Sequence, residues 1–212
     1  MEQFSFGGEN ISKYFTRFRP VFKGVDIKIN NGAILAVTGP NGSGKSTLLK
    51  ILATALTPTD GHVFFEIKNK KIELEQIPRR IGFVSPYLNL YEEFTPYELM
   101  EIISKMQGAA WDKNKSISLL ERMSIGYAGK REIKDFSSGM KQRTKYALAL
   151  MTSPKVLILD EPMTNLDNEG IATVAELIKE QKEKDGAVII ASNDEREIKL
   201  CTDEMNLNYF KD

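Results

Sequence analysis

Three clusters of residues carry types and spacings that can do chemistry. Gly39-Pro40-Asn41-Gly42-Ser43-Gly44-Lys45-Ser46 matches the phosphate-binding pattern G-x-x-x-x-G-K-[ST]. Its glycines let the backbone wrap a polyphosphate with N–H groups pointing inward, and a helix opening at Lys45 adds its positive end. Lys45 is then expected to reach the β- and γ-phosphates, Ser46 to ligate Mg²⁺, and Thr47 to bond an inner phosphate. The second cluster is Asp160-Glu161 behind the apolar run Val156-Leu157-Ile158-Leu159. Two carboxylates at the carboxyl end of a buried strand sit where open α/β sheets bind ligands. Asp160 is expected to hold Mg²⁺ and Glu161 to polarise an attacking water. The third is Ser137-Ser138-Gly139, whose hydroxyls and backbone donors at a helix start can receive an anion.

The elements around these clusters can be read from periodicity and punctuation. Val25, Ile27 and Ile29 alternate with polar residues as a half-buried strand, and Ala33 to Thr38 is an apolar strand running into the loop at Gly39. A helix over 46–55 ends near Pro58, and a strand follows around His62 to Ile67. Thr95-Pro96-Tyr97-Glu98 combines an N-cap, a proline at the first helical position and a capping box. Helices are predicted over 96–107, about 112–124, about 139–151 and 171–184. Val156–Leu159 and Ala187–Ala191 read as strands covered on both faces of a parallel sheet.

Composition narrows the function classes. The 212 residues suit one domain, and 42% hydrophobic content is enough for a core. Lys+Arg and Asp+Glu both number 29, which argues against sequence-blind nucleic-acid binding. The lone Cys201 excludes an internal disulfide framework and fits a reducing compartment. Met1-Glu2-Gln3-Phe4 lacks a leader's basic start, and no apolar run approaches the ~18 residues of a membrane span. The expected location is cytoplasmic, with membrane contact only through a partner.

With these motifs in place, the chain resembles the ATP-binding subunits of ABC (ATP-binding cassette) transporters over nearly its whole length. Phe136-Ser137-Ser138-Gly139-Met140, continued by Lys141-Gln142-Arg143, is similar to the family's signature motif, and Thr164-Asn165-Leu166-Asp167 to the D-loop. The resemblance implies an α/β P-loop NTPase with a mostly parallel sheet, an N-terminal antiparallel β subdomain and an inserted helical subdomain. It implies one ATP-binding domain over 1–212, with core and β subdomain at about 1–86 and 154–212 and helical subdomain at about 87–153. It also implies ATP and Mg²⁺ as ligands, Tyr14 as the aromatic on adenine with Phe15 as the alternative, and an ATP-sandwich dimer completed by Ser137, Ser138 and Gly139 of a second copy. A separately encoded transmembrane subunit would be energised from the inner face of the cell membrane. The short size and the Gly-Met-Lys-Gln-Arg run resemble exporter-type subunits, including haem-linked ones. Two other readings stand beside it: an ABC module that clamps ATP with little hydrolysis, and a non-transport ABC ATPase acting on nucleic acid or the ribosome.

The sequence departs from the family pattern at two places. The histidine expected after the last core strand is replaced by Asn193, and the chain's one histidine, His62, reads as a surface strand residue. Asn193 can donate a hydrogen bond but carries no charge, so hydrolysis is expected to persist at a reduced rate. Pro86 stands where the Q-loop glutamine belongs, with Tyr87 and Asn89 nearby. The aromatic stretch from Tyr87 to Tyr91, with Phe94 and Tyr97, reads equally as subdomain packing or as a dock for a partner's coupling helix.

Overall fold

The computed structural model describes residues 2–16, 19–108 and 110–210. Met1, weighed above in the leader reading, and the last two residues of the 1–212 span lie outside them. Two sheets form the body. The first is antiparallel, in the order β2-β1-β4-β5, from β1 (Phe4–Thr16), β2 (Arg19–Asn30), β4 (Asp60–Ile67) and β5 (Lys70–Lys71). The second is parallel, in the order β6-β7-β8-β3-β9, from β3 (Ile34–Thr38), β6 (Ile81–Val84), β7 (Val156–Asp160), β8 (Ala187–Ala191) and β9 (Asp203–Asn206). This is the expected α/β arrangement.

The period-two alternation of the parallel strands sends their side chains into two cores. Leu35, Val37, Ile158 and Ile189 pack with α1 (Lys45–Leu52) and the antiparallel sheet, where Phe6, Phe22, Leu48 and Phe65 are fully buried. Ile34, Leu157, Leu159, Val188 and Ile190 pack the other face against four helices: α2 (Pro96–Met106), α3 (Lys113–Arg122), α4 (Ser138–Leu150) and α5 (Asn168–Glu183). Each fully buried Leu, Ile or Phe contributes about 1.5–3 kcal/mol. The sheet is therefore fixed from both sides, and its carboxyl ends make a rigid rim.

The helix starts follow their caps. Thr95 accepts from Glu98 N at 3.3 Å while Glu98 Oε2 accepts from Thr95 N at 2.8 Å, the capping box read from the sequence. The helix predicted over 171–184 begins three residues earlier, because Asp167 caps it by accepting from Gly170 N at 2.8 Å. The one predicted over 112–124 is shorter at both ends, since Asp112 is its cap rather than its first turn. Strands β1 and β9 were absent from the sequence reading. In β1 the register shifts between Gly8 and Ile11, where Asn10 takes φ 52°, so the alternation that starts at Phe4-Ser5-Phe6 is broken halfway.

Candidate active site

The phosphate-loop motif lies between β3, every residue of which is buried, and α1. Ser43 N donates to Pro40 O at 3.0 Å, which turns the loop back on itself. Gly44, just before the helix, takes φ 101°, and a Cβ there would lie 2.5 Å from Val21 Cγ1 and 2.9 Å from Phe22 Cδ1. Only glycine satisfies both conditions. Lys45 is buried, and its Nζ donates to Gly39 O at 2.6 Å and to Pro40 O at 3.5 Å. Burial lowers the pKa of this ammonium, while the Glu161 and Asp160 carboxylates oppose that shift. The loop from Asn41 to Thr47 lines a cleft of about 530 Å³ together with Phe15, Val21, Tyr87 and Glu161. Gly39 and Pro40 do not line this cleft and meet Lys45 through their carbonyls.

Tyr14, the favoured adenine platform, is not among the residues lining this cleft, whereas its alternative Phe15 is. The register of β1 against β2 shifts on both sides of Tyr14, and it is Phe15, 66% exposed, that lines the cleft. Lys13 Nζ lies 5.5 Å from the Phe15 ring centroid.

Asp160 ends β7 at 1% exposure, and both of its oxygens are engaged. Oδ1 accepts from Ser46 Oγ at 3.1 Å and Oδ2 from Ser85 Oγ at 3.0 Å. A hydroxyl and a carboxylate from two different elements thus meet, a hard oxygen pair suited to Mg²⁺, which takes its remaining ligands from water and phosphate. Glu161 follows at φ 46°, in the left-handed region, with its N–H donating to Ala191 O at 2.9 Å. A non-glycine residue held there costs about 1–3 kcal/mol. That bend takes Glu161 out of the strand, where it lines both the loop cleft and a second one of about 240 Å³ shared with Asn193.

Asn193 touches the phosphate loop directly. Its Oδ1 accepts from Gly39 N at 3.3 Å, and its Nδ2 donates to Asn41 Oδ1 at 3.3 Å. His62 is far from this chemistry, in β4, 3.4 Å from Glu9 with both side chains 56% exposed.

The third cluster lies elsewhere, with Ser137 and Gly139 on a cleft of their own. Ser137 caps α4 by accepting from Met140 N at 3.2 Å, and Ser138 is the first helical residue. Ser137 and Gly139 line a cleft of about 360 Å³ with Asn165 and Asp167, and it shares no residue with the loop cleft. Arg143, buried one turn into α4, ties this cleft together. Its Nη1 donates to Met123 O at 2.9 Å and its Nη2 to Asp167 Oδ1 at 2.7 Å. The Asp167 carboxyl is held below its ordinary range, first by the Gly170 N–H and then by Arg143.

Three residues here escaped the sequence reading. Ser85 is fully buried on Asp160; Lys145 is a buried lysine in α4 beneath the Ser85–Pro86 turn; Glu197 is 3% exposed in α6 (Glu195–Ile198) and accepts from Met163 N at 2.8 Å. None lies in a motif, and a single Ser, Lys or Glu carries no signal of burial by type.

The chain matches the family described as "ABC transporter" over residues 22–164. It belongs to the ABC transporter family. It is 34% identical over 202 residues to the lantibiotic transport ATP-binding protein SrtF of Streptococcus pyogenes, covering 95% of this chain and 85% of that protein. It is 33% identical over 201 residues to the lipoprotein-releasing system ATP-binding protein LolD of Ehrlichia canis, covering 89% and 88%. Among solved structures, the bacterial ABC transporter cassette MJ0796, a dimer, superposes with a TM-score of 0.83 at 25% identity, over 95% of this chain and 94% of that one. The same cassette in a post-hydrolysis dimer bound to ADP and Pi gives a TM-score of 0.82 at 24% identity, over 97% and 94%. The chain is thus an ABC ATPase in family and fold.

Proposed function

We propose that two copies of this ABC ATPase clamp Mg-ATP between them, hydrolyse it, and so drive a separately encoded membrane-spanning subunit from the cytoplasmic face. The observation that carries the reading is that Lys45, Ser46 and Glu161 line one loop cleft, with Asp160 buried behind it and bonded to Ser46 at 3.1 Å. In this reading the Lys45 ammonium leaves the carbonyls of Gly39 and Pro40 for the β- and γ-phosphates, while the N–H groups of 41–47 cradle the chain of phosphates. Thr47 bonds an inner phosphate, and Phe15 stacks on the base. Ser46 and Asp160 would hold Mg²⁺, which supplies charge neutralisation on the phosphate oxygens. Glu161 orients a water for in-line attack and takes up its proton. Asn193 turns its amide donor from Asn41 towards the γ-phosphate or Glu161.

Separation of the two clefts supports pairing. Ser137, Ser138 and Gly139 cannot complete the loop cleft of their own chain, so head-to-tail apposition of a second copy supplies them. Coupling to a membrane partner draws on a surface groove of about 300 Å³ lined by Phe83, Leu90, Tyr91, Ile102 and Met106. Tyr91 is 72% and Met106 78% exposed, an apolar patch of the sort that marks interaction sites. Among the described residues no helix is long and apolar enough to cross a membrane, so the reading assigns that crossing to the partner. The printed names of SrtF, a lantibiotic transport protein, and LolD, of a lipoprotein-releasing system, point the same way.

Turnover of pure protein with Mg-ATP tests the ATPase reading, with Glu161→Gln expected to lower it at least about a hundredfold. The same variant with saturating ATP is expected to run as a dimer in size-exclusion chromatography. Absence of Mg-ATP binding, or a variant that stays monomeric, refutes the proposal.

A further inference from the structure

We propose that Lys145 is a positioning residue for Asp160: through the Ser85–Pro86 turn it sets the hydroxyl that orients this carboxylate towards Mg²⁺. The inference rests on the Mg-ATP reading above. Lys145 lies in the second turn of α4, the helix that starts at the signature serines, and is only 7% exposed. A buried ammonium needs polar partners, and here both are backbone carbonyls. Nζ donates to Ser85 O at 3.0 Å and to Pro86 O at 2.8 Å. Neither carbonyl belongs to the sheet, because β6 ends at Val84. Pro86 has no N–H with which to continue the ladder, so the turn is held from α4 rather than by strand pairing.

Ser85 passes that constraint on. Its hydroxyl, fully buried, donates to Asp160 Oδ2 at 3.0 Å and accepts from Tyr87 N at 3.3 Å. The other oxygen of Asp160 faces Ser46 at the start of α1. A continuous path therefore runs from α4 through Lys145, Ser85 and Asp160 to the phosphate loop. It occupies the position where Pro86 replaces the amide side chain expected from the family pattern. Outer partners of this kind fix the geometry of a metal-binding carboxylate, and their loss typically weakens metal affinity ~10–100-fold. The same path ties the signature helix to the metal carboxylate of its own chain.

Metal affinity without turnover tests this. Mn²⁺, standing in for Mg²⁺, is titrated into ATP-saturated Glu161→Gln protein and followed by electron paramagnetic resonance, and ATP affinity is measured separately in EDTA. Adding Lys145→Met or Ser85→Ala is expected to weaken Mn²⁺ binding about tenfold with metal-free ATP affinity unchanged. The double variant should be no worse than either alone, since both cut one path. Lys145→Gln, which keeps an amide donor, should fall between, and with Ser85→Ala it serves if Lys145→Met does not fold. Wild-type Mn²⁺ affinity in Lys145→Met or Lys145→Gln overturns the proposal, as do effects that multiply or equal weakening of metal-free ATP. Failure of the Glu161→Gln parent to bind Mn²⁺ with ATP would instead sink the Mg-ATP reading itself.

Discussion

Replacing Phe15 by alanine should weaken ATP binding, whereas replacing its neighbour Tyr14 should not. Stacking of a base on an aromatic ring is worth ~1–3 kcal/mol. The Phe15 ring is 66% exposed and has Lys13 Nζ 5.5 Å from its centroid, so one face is available and the stack stays open to water. The lower part of that range applies, ~1–1.5 kcal/mol, or about 5- to 13-fold in Kd, since ~1.4 kcal/mol is a factor of ten. Tyr14 belongs to the same strand but not to the loop cleft, and Tyr14→Ala is expected to change Kd less than twofold. Isothermal titration with ATP in EDTA reads both, with thermal melting as a control for folding. Tyr87 also lines the cleft, so Tyr87→Ala belongs in the series. A Tyr14→Ala loss equal to or larger than that of Phe15→Ala would refute Phe15 as the base platform.

Gly44→Ala is expected to cost ~2 kcal/mol from its φ of 101° and its clash with Val21 and Phe22, lowering Tm by about 4–8 °C. Val21→Ala in the same chain should recover part of that loss, and a Tm within 1 °C of wild type contradicts the loop geometry. Asn193→His should raise steady-state ATP turnover on the order of tenfold, because a charged donor bonds a phosphate about twice as strongly as a neutral amide; unchanged or lower turnover counts against a switch role. Glu197 has its carboxyl pKa raised, first by burial and then by Asp194 and Glu161, against the Ser192 hydroxyl and the Met163 N–H. Its contribution to stability is therefore present below the ordinary carboxylate range and is lost as pH rises through the raised value. Glu197→Gln keeps the acceptor for Met163 and removes the charge, so its Tm relative to wild type should become more favourable from pH 4.5 to pH 8. A flat or inverted difference in paired melting curves rejects this.

Much of the site was legible because its chemistry is local. Gly39 to Ser46 fold on themselves between a strand and a helix, and Asp160-Glu161 come directly after four apolar strand residues, Asp160 closing the strand. A backbone cradle and a pair of carboxylates need only their own neighbours in the chain, so type and spacing announce them. Capping is equally local, and the Thr95–Glu98 box was readable for that reason. Asp167 was assigned to the D-loop, and its second role as the cap of α5 went unseen because one aspartate can satisfy both patterns.

By itself the sequence determined the α/β class and pointed to the phosphate loop and the acidic pair, and the family resemblance marked Asn193 and Pro86 as departures. Tertiary structure alone decided which aromatic of β1 meets the loop, for a bulged strand can shift its facing by one residue. It alone decided that Ser137 and Gly139 open on a cleft apart from the loop, and that Ser85 and Lys145 meet across 60 residues of chain. Those contacts join β6, β7 and α4, which are brought together only when the sheet is packed on both faces. Hydrogen bonds between distant elements leave no period in the chain, so no reading of spacing could have found them.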